Sequence, residues 1–186
     1  MMLKRPPQPA LRPFVKTLWV SDQTGLQRSP QFDREHVLPT GEMHLVFRLS
    51  DPPLRLFENA EDTRGRVLRH AVVGGVRSTF YVREISSPGV AVGAQLLPGA
   101  AELLFGAPAG ELAERHTLLD DLWSRGAGSA REQLLEAGSP EVRLEVLESI
   151  LAARLPAMRG LHPAVAQALE QFWTTTDVRR VVRASG

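Results

Sequence analysis

Apolar residues alternate with polar ones along the first half of the chain, with the two-residue period of a strand whose two faces differ. In EMHLVFRLS (42–50), for example, Met43, Leu45 and Phe47 share one face. Runs that alternate in this way, or are rich in β-branched and aromatic residues, lie at 42–50, 66–73, 79–85 and 89–97. Turn residues separate them, so the pattern predicts an antiparallel sheet, a sandwich or a barrel.

Apolar residues recur at helical spacing after Pro98. Ser129 and Glu132 have the spacing of a capping box, which predicts the start of one helix. Ser139 and Pro140 predict the start of the next, because proline is tolerated at the first helical position. That helix carries a wide apolar stripe: Val142, Leu144, Val146, Leu147, Ile150, Leu151 and Leu155. The width of the stripe predicts burial against both the sheet and a second subunit.

Composition and charge exclude several classes of protein. The chain has 186 residues, 43% of them hydrophobic, which is ordinary for a globular protein. Its formal net charge is only +1, so its overall charge gives no strong electrostatic attraction to nucleic acids or membranes. It has no cysteine, which excludes disulfides and thiolate chemistry. No apolar run is long enough to span a bilayer, and MMLKRPPQPALRP (1–13) has no signal-peptide core. We therefore expect a cytoplasmic protein without membrane partners.

Candidate catalytic chemistry is sparse. The chain has no nucleophile elbow and no phosphate-binding glycine loop. Asp120 and Asp121 are adjacent, so on a helix they do not face each other, and we interpret one or both as helix caps. We interpret the segment 98–123, which contains them, as a structural segment without catalytic residues. The sequence predicts no catalytic residue, no cofactor and no enzyme activity.

One cluster has the composition of a metal site: His36, Glu42 and His44. A site of the cupin type places two histidines two residues apart on one strand, whereas a Pro-Thr-Gly turn separates these two. We predict no metal here. A metal-dependent enzyme using these three residues stays open as an alternative.

Polar residues on the alternating strand are the candidate ligand contacts. Glu42, His44 and Arg48 lie on its polar face, which either lines a pocket or is a solvated face with complementary charges. Trp19, in the apolar run FVKTLWV (14–20), is either a core residue or a platform for a ligand. These four residues are the predicted ligand-binding set.

The tail TTTDVRRVVRASG (174–186) has the pattern of a short capped helix. Thr176 is a good N-cap, and the three valines that follow fall on one face. Gly186 is suited to the turn after a helix. The pattern is typical of the first helix of a helix-turn-helix, and equally of a generic C-terminal helix.

Several segments together resemble the AraC-type transcriptional regulators. LRPFVKTLWV (11–20) is similar to that family's opening strand, and HVLPTGEMHLVFRL (36–49) to its strand with a Leu-Pro-Asp-Gly turn. Three further stretches follow its pattern: VVGGVRSTF (72–80), PGAAELLFGAPAGEL (98–112) and LLDDLW (118–123). The tail resembles its first helix-turn-helix helix. Thr40 departs from the family's acidic residue, and Val182 from its small alanine.

The resemblance implies an α+β fold, with a cupin-like antiparallel barrel or sandwich followed by helices. Residues 1–157 would be the sensor domain, with a β part at 11–97 and a helical part at 98–157. Residues 158–186 would be a linker and the start of a truncated helix-turn-helix domain. The implied function is effector sensing and dimerisation in an AraC-family regulator. An oligomerisation module that binds no ligand is the other alternative.

The implied partners are an unidentified small-molecule effector and a second copy of the chain. DNA would be bound only through a C-terminal domain with its recognition helices, which these residues lack. In the full-length protein, three basic residues of the tail would contact DNA phosphates: Arg179, Arg180 and Arg183.

Overall fold

The computed structural model describes residues 1–25, 34–86, 88–124 and 126–155. Its strands are β1 Met2–Arg5, β2 Val15–Asp22, β3 Arg34–Val37, β4 Met43–Arg48, β5 Arg55–Phe57, β6 Arg66–Val67, β7 Ala71–Gly74, β8 Tyr81–Glu84, β9 Val90–Leu96 and β10 His116–Leu118. Its helices are α1 Ala100–Phe105, α2 Ala109–Leu112, α3 Leu119–Trp123, α4 Gly126–Glu136 and α5 Pro140–Arg154, and a 3-10 turn spans Pro9–Leu11. The predicted α+β class is confirmed.

The strands form two antiparallel sheets. The larger has six strands in the order β1-β2-β9-β4-β7-β10, and the smaller has four in the order β3-β8-β5-β6. Over the described ranges these are two separate sheets, so the closed barrel that was one predicted form is not present.

The run 66–73, predicted as one strand, divides between the two sheets. Arg66 and Val67 pair with β5 in the smaller sheet, whereas Ala71 begins β7 in the larger. Leu68, between them, is 1% exposed, and its N–H donates to the carbonyl of Leu54. The strand breaks because this leucine anchors the chain where it passes from one sheet to the other.

One face of the six-stranded sheet packs against the helices, and we call it the outer face. The Phe47 ring of β4 lies 6.3 Å from the Trp123 ring of α3. Helix α5 contacts β2 and β9. Its side chains Leu144, Leu147 and Leu151 are fully buried. This face forms the main apolar core.

The two predicted helix starts have different outcomes. Helix α5 begins at Pro140 as predicted, and Ser139 Oγ accepts a hydrogen bond from the Val142 N–H at 3.2 Å. The capping box at Ser129 is wrong, because α4 already begins at Gly126. Ser129 lies within that helix, where its hydroxyl contacts the side chain of the residue one turn later.

The predicted caps at Asp120 and Asp121 are also wrong. Helix α3 begins directly after Leu118, and no side chain caps it. Both aspartates lie in its first turn, where Asp120 forms an exposed ion pair with Arg69. A negative charge in the first turn is favourable through the helix dipole without capping.

Residues Met1–Arg154 form one compact unit. The predicted linker, the tail, the boundary at 157 and the three arginines of the tail lie outside the described residues. Among the helices of the described part, none has the length and hydropathy needed to cross a bilayer.

Candidate functional site

The second face of the six-stranded sheet lies against the smaller sheet, and we call it the inner face. Leu56 of β5 packs with Val72 of β7, and Val46 of β4 and Tyr81 of β8 pack around them. The two sheets are therefore joined by a small apolar cluster. Outside this cluster, the pairing of the strands determines which side chains lie on the inner face.

A polar row crosses the inner face at one end. In the register of the sheet, Thr17 pairs with Gln95, Gln95 with His44, His44 with Gly74, and Gly74 with His116. Side chains of directly paired residues point to the same face. Five strands therefore bring Thr17, Gln95, His44 and His116 to one side of the sheet, with a glycine between the two histidines.

Trp19 lies one row further along the inner face. It pairs with Gly93, which pairs in turn with Val46. A Cβ atom at Gly93 would lie 2.4 Å from Cζ2 of the Trp19 indole and 2.5 Å from the backbone oxygen of Leu45. The glycine is therefore required at this position, because it lets the indole lie flat across the neighbouring strand.

Arg48 lies at the other end of the same face, paired with Ala91. Its Nε donates a hydrogen bond of 2.6 Å to the carbonyl of Pro52. Burial lowers the pKa of Arg48, although the charge of Glu84 opposes the shift. The guanidinium stays protonated, so Arg48 supplies a fixed, half-buried positive charge.

His44 is half-buried and held from one side. Its Nε2 lies 3.0 Å from Oγ1 of Thr40, in the turn before the strand. Burial lowers the pKa of His44, and the Glu42 carboxylate opposes that shift. At neutral pH the imidazole is therefore uncharged, with Nδ1 left to interact with a bound group.

His116 and Tyr81 meet across the gap between the sheets. Their ring centroids are 4.6 Å apart, with the rings edge to face. Burial, together with the charges of Arg77, Arg66 and His44, lowers the pKa of His116 to about 4. Burial also raises the pKa of Tyr81. Both side chains are thus neutral at pH 7.

The polar atoms of this face are short of protein partners. Around this site, five half-buried side chains make no hydrogen bond to the described part of the chain: Thr17, Trp19, Tyr81, Gln95 and His116. Their polar atoms are open to solvent and not sealed in the core, so this set is accessible to a bound molecule. It offers hydroxyl, indole, amide and imidazole groups to a ligand that enters between the sheets.

Glu42 differs from the other predicted ligand contacts. Its carboxylate pairs with Lys16 of β2 at 2.5 Å. Its second oxygen is buried, and no described residue donates a hydrogen bond to it. The structure therefore brings Trp19, His44 and Arg48 to the inner face, while Glu42 lies beside it in an ion pair.

The three residues of the considered metal site do not converge. His36 is exposed on β3 of the smaller sheet, with its ring 5.1 Å from that of Phe80. His44 lies on the larger sheet, and Glu42 is paired with Lys16. Across the described ranges, no three histidine or acidic side chains are arranged to hold a metal ion.

Four residues of the candidate site were not predicted from the sequence: Thr17, Gln95 and His116 on the inner face, and Tyr81 on the smaller sheet. His116 lies on a three-residue strand within the segment interpreted as structural. The signal that places it opposite His44 is the register through Gly74, which becomes visible only in the folded sheet.

A family model described as a domain of unknown function (DUF6597) matches residues 3–118, well over half of the chain. The matched range runs from β1 to the end of β10 and includes every inner-face residue described above. Searches of curated proteins and of solved structures found no significant match.

Proposed function

The chain belongs to the DUF6597 family, and we propose that it is the effector-sensing and dimerisation part of an AraC-type transcription regulator. In this role it acts in the cytoplasm. Its effector is a small molecule bound between the two sheets, and the chain itself catalyses no reaction.

One observation carries the proposal of a binding site: the inner face holds half-buried polar side chains without partners in the described chain. The outer face of the same sheet is closed by helices, with Leu147 and Leu151 fully buried. In the described chain the unpaired polar atoms of the inner face remain open to solvent, so a ligand can reach them. The polar inner face therefore favours binding over packing.

The regulatory part of the proposal rests on the sequence resemblance. The segment similar to the AraC-type strand forms β4 and the turn before it, which carry His44 and Thr40. Two facing antiparallel sheets are compatible with a cupin-like sandwich. A ligand regulates such a protein when it binds one arrangement of the sensor and its attached helices better than the other.

The dimerisation part is supported by helix α5. Its buried stripe faces the sheet, while an apolar flank remains beside it: Val142 is 42% exposed, and Val146 and Ile150 are half-buried. A second copy of the same flank would cover these side chains. Paired subunits also match the paired half-sites of DNA that such regulators bind.

The test of the regulatory role uses the complete product of the reading frame, including whatever codons follow Gly186. We expect the frame to continue into two helix-turn-helix units, in which Arg179, Arg180 and Arg183 contact phosphates. The purified product should protect DNA upstream of its own gene in a footprinting experiment. A frame without such units, or a full-length product that binds no DNA specifically, would contradict the regulatory role.

A further inference from the structure

The inner face also indicates what kind of molecule it binds. We propose that the ligand is a small organic carboxylate with an apolar body, its acid group between His44 and His116 and its body against Trp19. This inference rests on the proposed function, since it specifies the effector of the same site.

The interval between the two histidines is set by Gly74. His44 and His116 both pair with this glycine, so their Cα atoms are two strand spacings apart, roughly 10 Å. Gly74 has no side chain of its own, and the His116 imidazole covers it instead. A Cβ atom there would lie 3.5 Å from Nε2 of His116, which shows that the imidazole extends over the glycine.

The polar groups around this interval favour a negative charge. A neutral His116 and the Tyr81 hydroxyl each have an N–H or O–H to donate, and His44 donates from Nδ1 in the tautomer whose Nε2 accepts from the Thr40 hydroxyl. A carboxylate accepts several such bonds at once. Arg77 lies 5.4 Å from the centroid of the Tyr81 ring and is oriented by hydrogen bonds to the carbonyls of Thr79 and Glu114. Its guanidinium adds a fixed positive charge beside the donors.

Three acidic side chains near the two histidines and Tyr81 are already engaged. Glu42 pairs with Lys16, and Glu35 pairs with Arg83. The Glu114 carboxylate accepts the backbone N–H of Ser78. With these carboxylates paired, the electrostatic potential at His116 is positive. Its sources are Arg77 and Arg66, whose charges help to lower the pKa of the imidazole. An anion is therefore a better match than a cation or a neutral sugar.

The apolar body is suggested by the row next to the histidines. The Trp19 indole lies flat over Gly93, and Val46 follows on the next strand. An aromatic face beside an aliphatic side chain binds apolar groups and offers them few hydrogen bonds. A ligand that reaches from the polar row to this row therefore has an acid at one end and a hydrocarbon portion at the other.

The test compares acids with their neutral amides. Calorimetric titrations at pH 7 would use 3-phenylpropanoate and hexanoate, each against the corresponding primary amide. We expect at least one acid to bind at least tenfold more tightly than its amide, because the amide lacks the charge. Equal affinity of acid and amide would overturn the inference, as would no binding of either acid up to about 10 mM.

Variants then locate the bound acid. Gly74→Ala introduces a methyl group in ordinary contact with His116, so the fold should tolerate it while the methyl group narrows the interval between the two imidazoles. His116→Gln removes the imidazole. Both should weaken acid binding at least tenfold, whereas His36→Gln, at an exposed histidine of the other sheet, should not. Thermal unfolding of each variant checks the fold, and unchanged affinity in a folded Gly74→Ala protein would contradict the placement.

The outcomes separate this inference from the function on which it rests. If amides bind as well as acids, and Trp19→Phe weakens both, the site is an effector site but the carboxylate inference fails. If acids bind as proposed but the full-length product fails the DNA footprint, the ligand class stands and the regulatory role falls.

Discussion

The two faces of the six-stranded sheet differ although the same strands build both. On β4, Phe47 points to the outer face, where its side chain is fully buried beside Trp123. Its neighbours Val46 and Arg48 point to the inner face and are half-buried. The alternation of one strand thus serves two purposes. Its odd-numbered residues hold the fold together, and its even-numbered ones line the candidate site.

This difference has an energetic meaning. Residues that close the core contribute through burial, which depends little on the bound state of the protein. Residues on the inner face contribute less to folding, because their surfaces are partly solvated. Substitutions on the two faces should therefore separate stability from binding.

The largest effect should come from Phe47→Ala. Removing this fully buried ring leaves a cavity against Trp123, and we expect a loss of about 3–5 kcal/mol in the free energy of unfolding. The neighbouring Val46→Ala, on the inner face, should cost about 1 kcal/mol. Urea unfolding of both variants measures this, and equal losses would contradict the assignment of the two faces.

The next effect is a loss of stability in acid caused by His116. Its folded pKa of about 4 lies below the ordinary value of 6.5, so the unfolded chain takes up the proton first as the pH falls. Stability is therefore lost between pH 6.5 and pH 4, by up to about 3 kcal/mol.

Urea unfolding at pH 7 and at pH 4.5 checks this prediction. His116→Gln should flatten the pH dependence, while His36→Gln should leave it as in the wild type. An identical pH dependence in wild type and His116→Gln would show that the imidazole is not buried in its neutral form.

A smaller effect should come from the ion pair that ties β1 to helix α5. Glu148, on α5, accepts two hydrogen bonds from Arg5, at 2.8 and 3.3 Å, and one from the backbone N–H of Gln8. Glu148→Gln leaves the guanidinium without its counter-charge. Because the Arg5 side chain is about a third exposed, we expect a loss of about 2 kcal/mol rather than the larger cost of a fully buried pair.

The matched control is the exposed pair between Glu35 and Arg83. Glu35→Gln should change the free energy of unfolding by less than about 1 kcal/mol. If urea unfolding gives the same small loss for both variants, the buried pair is not an anchor of β1.

The smallest effect on folding should come from Val142→Asp. The side chain is exposed at the start of α5, where a negative charge is favourable through the helix dipole. The free energy of unfolding should therefore change by no more than about 0.5 kcal/mol. Its effect should appear in association, because a charge within an apolar interface disfavours the dimer. Sedimentation velocity should show a shift toward monomer, and Leu135→Asp, at an equally exposed position of α4, should not produce it.

Strands and helices with a long local pattern were predictable from the sequence. β4 follows from its alternation, and α5 from its stripe and its Ser-Pro start. The short strands were not, because three residues such as His116–Leu118 carry too little periodicity to show which element they belong to. The break at Leu68 was missed for a related reason. In the sequence, a single apolar leucine fits the pattern of a continuous strand. Only the structure shows that the residues on its two sides belong to different sheets.

The candidate site was only partly predictable. The alternation on β4 was enough to propose His44 and Arg48, since they share the polar face of one strand. His116 and Tyr81 join them through pairings with residues far away in the chain, and no local pattern encodes that register. The need for glycine at position 93 was not predictable either, because it depends on the Trp19 indole, which belongs to the neighbouring strand of the sheet.

The most direct test of the inner face as a binding site uses two tryptophans as opposite reporters. The Trp123 indole N–H, on the outer side, donates to the carbonyl of Leu104 at 2.8 Å. The Trp19 indole N–H makes no hydrogen bond within the described chain. Each indole N–H should give its own signal in a two-dimensional nitrogen–proton NMR spectrum, to be assigned with Trp19→Phe and Trp123→Phe. On titration with 3-phenylpropanoate, the Trp19 signal should shift progressively while that of Trp123 stays in place. A shift of Trp123 alone, or of neither signal, would contradict a binding site on the inner face.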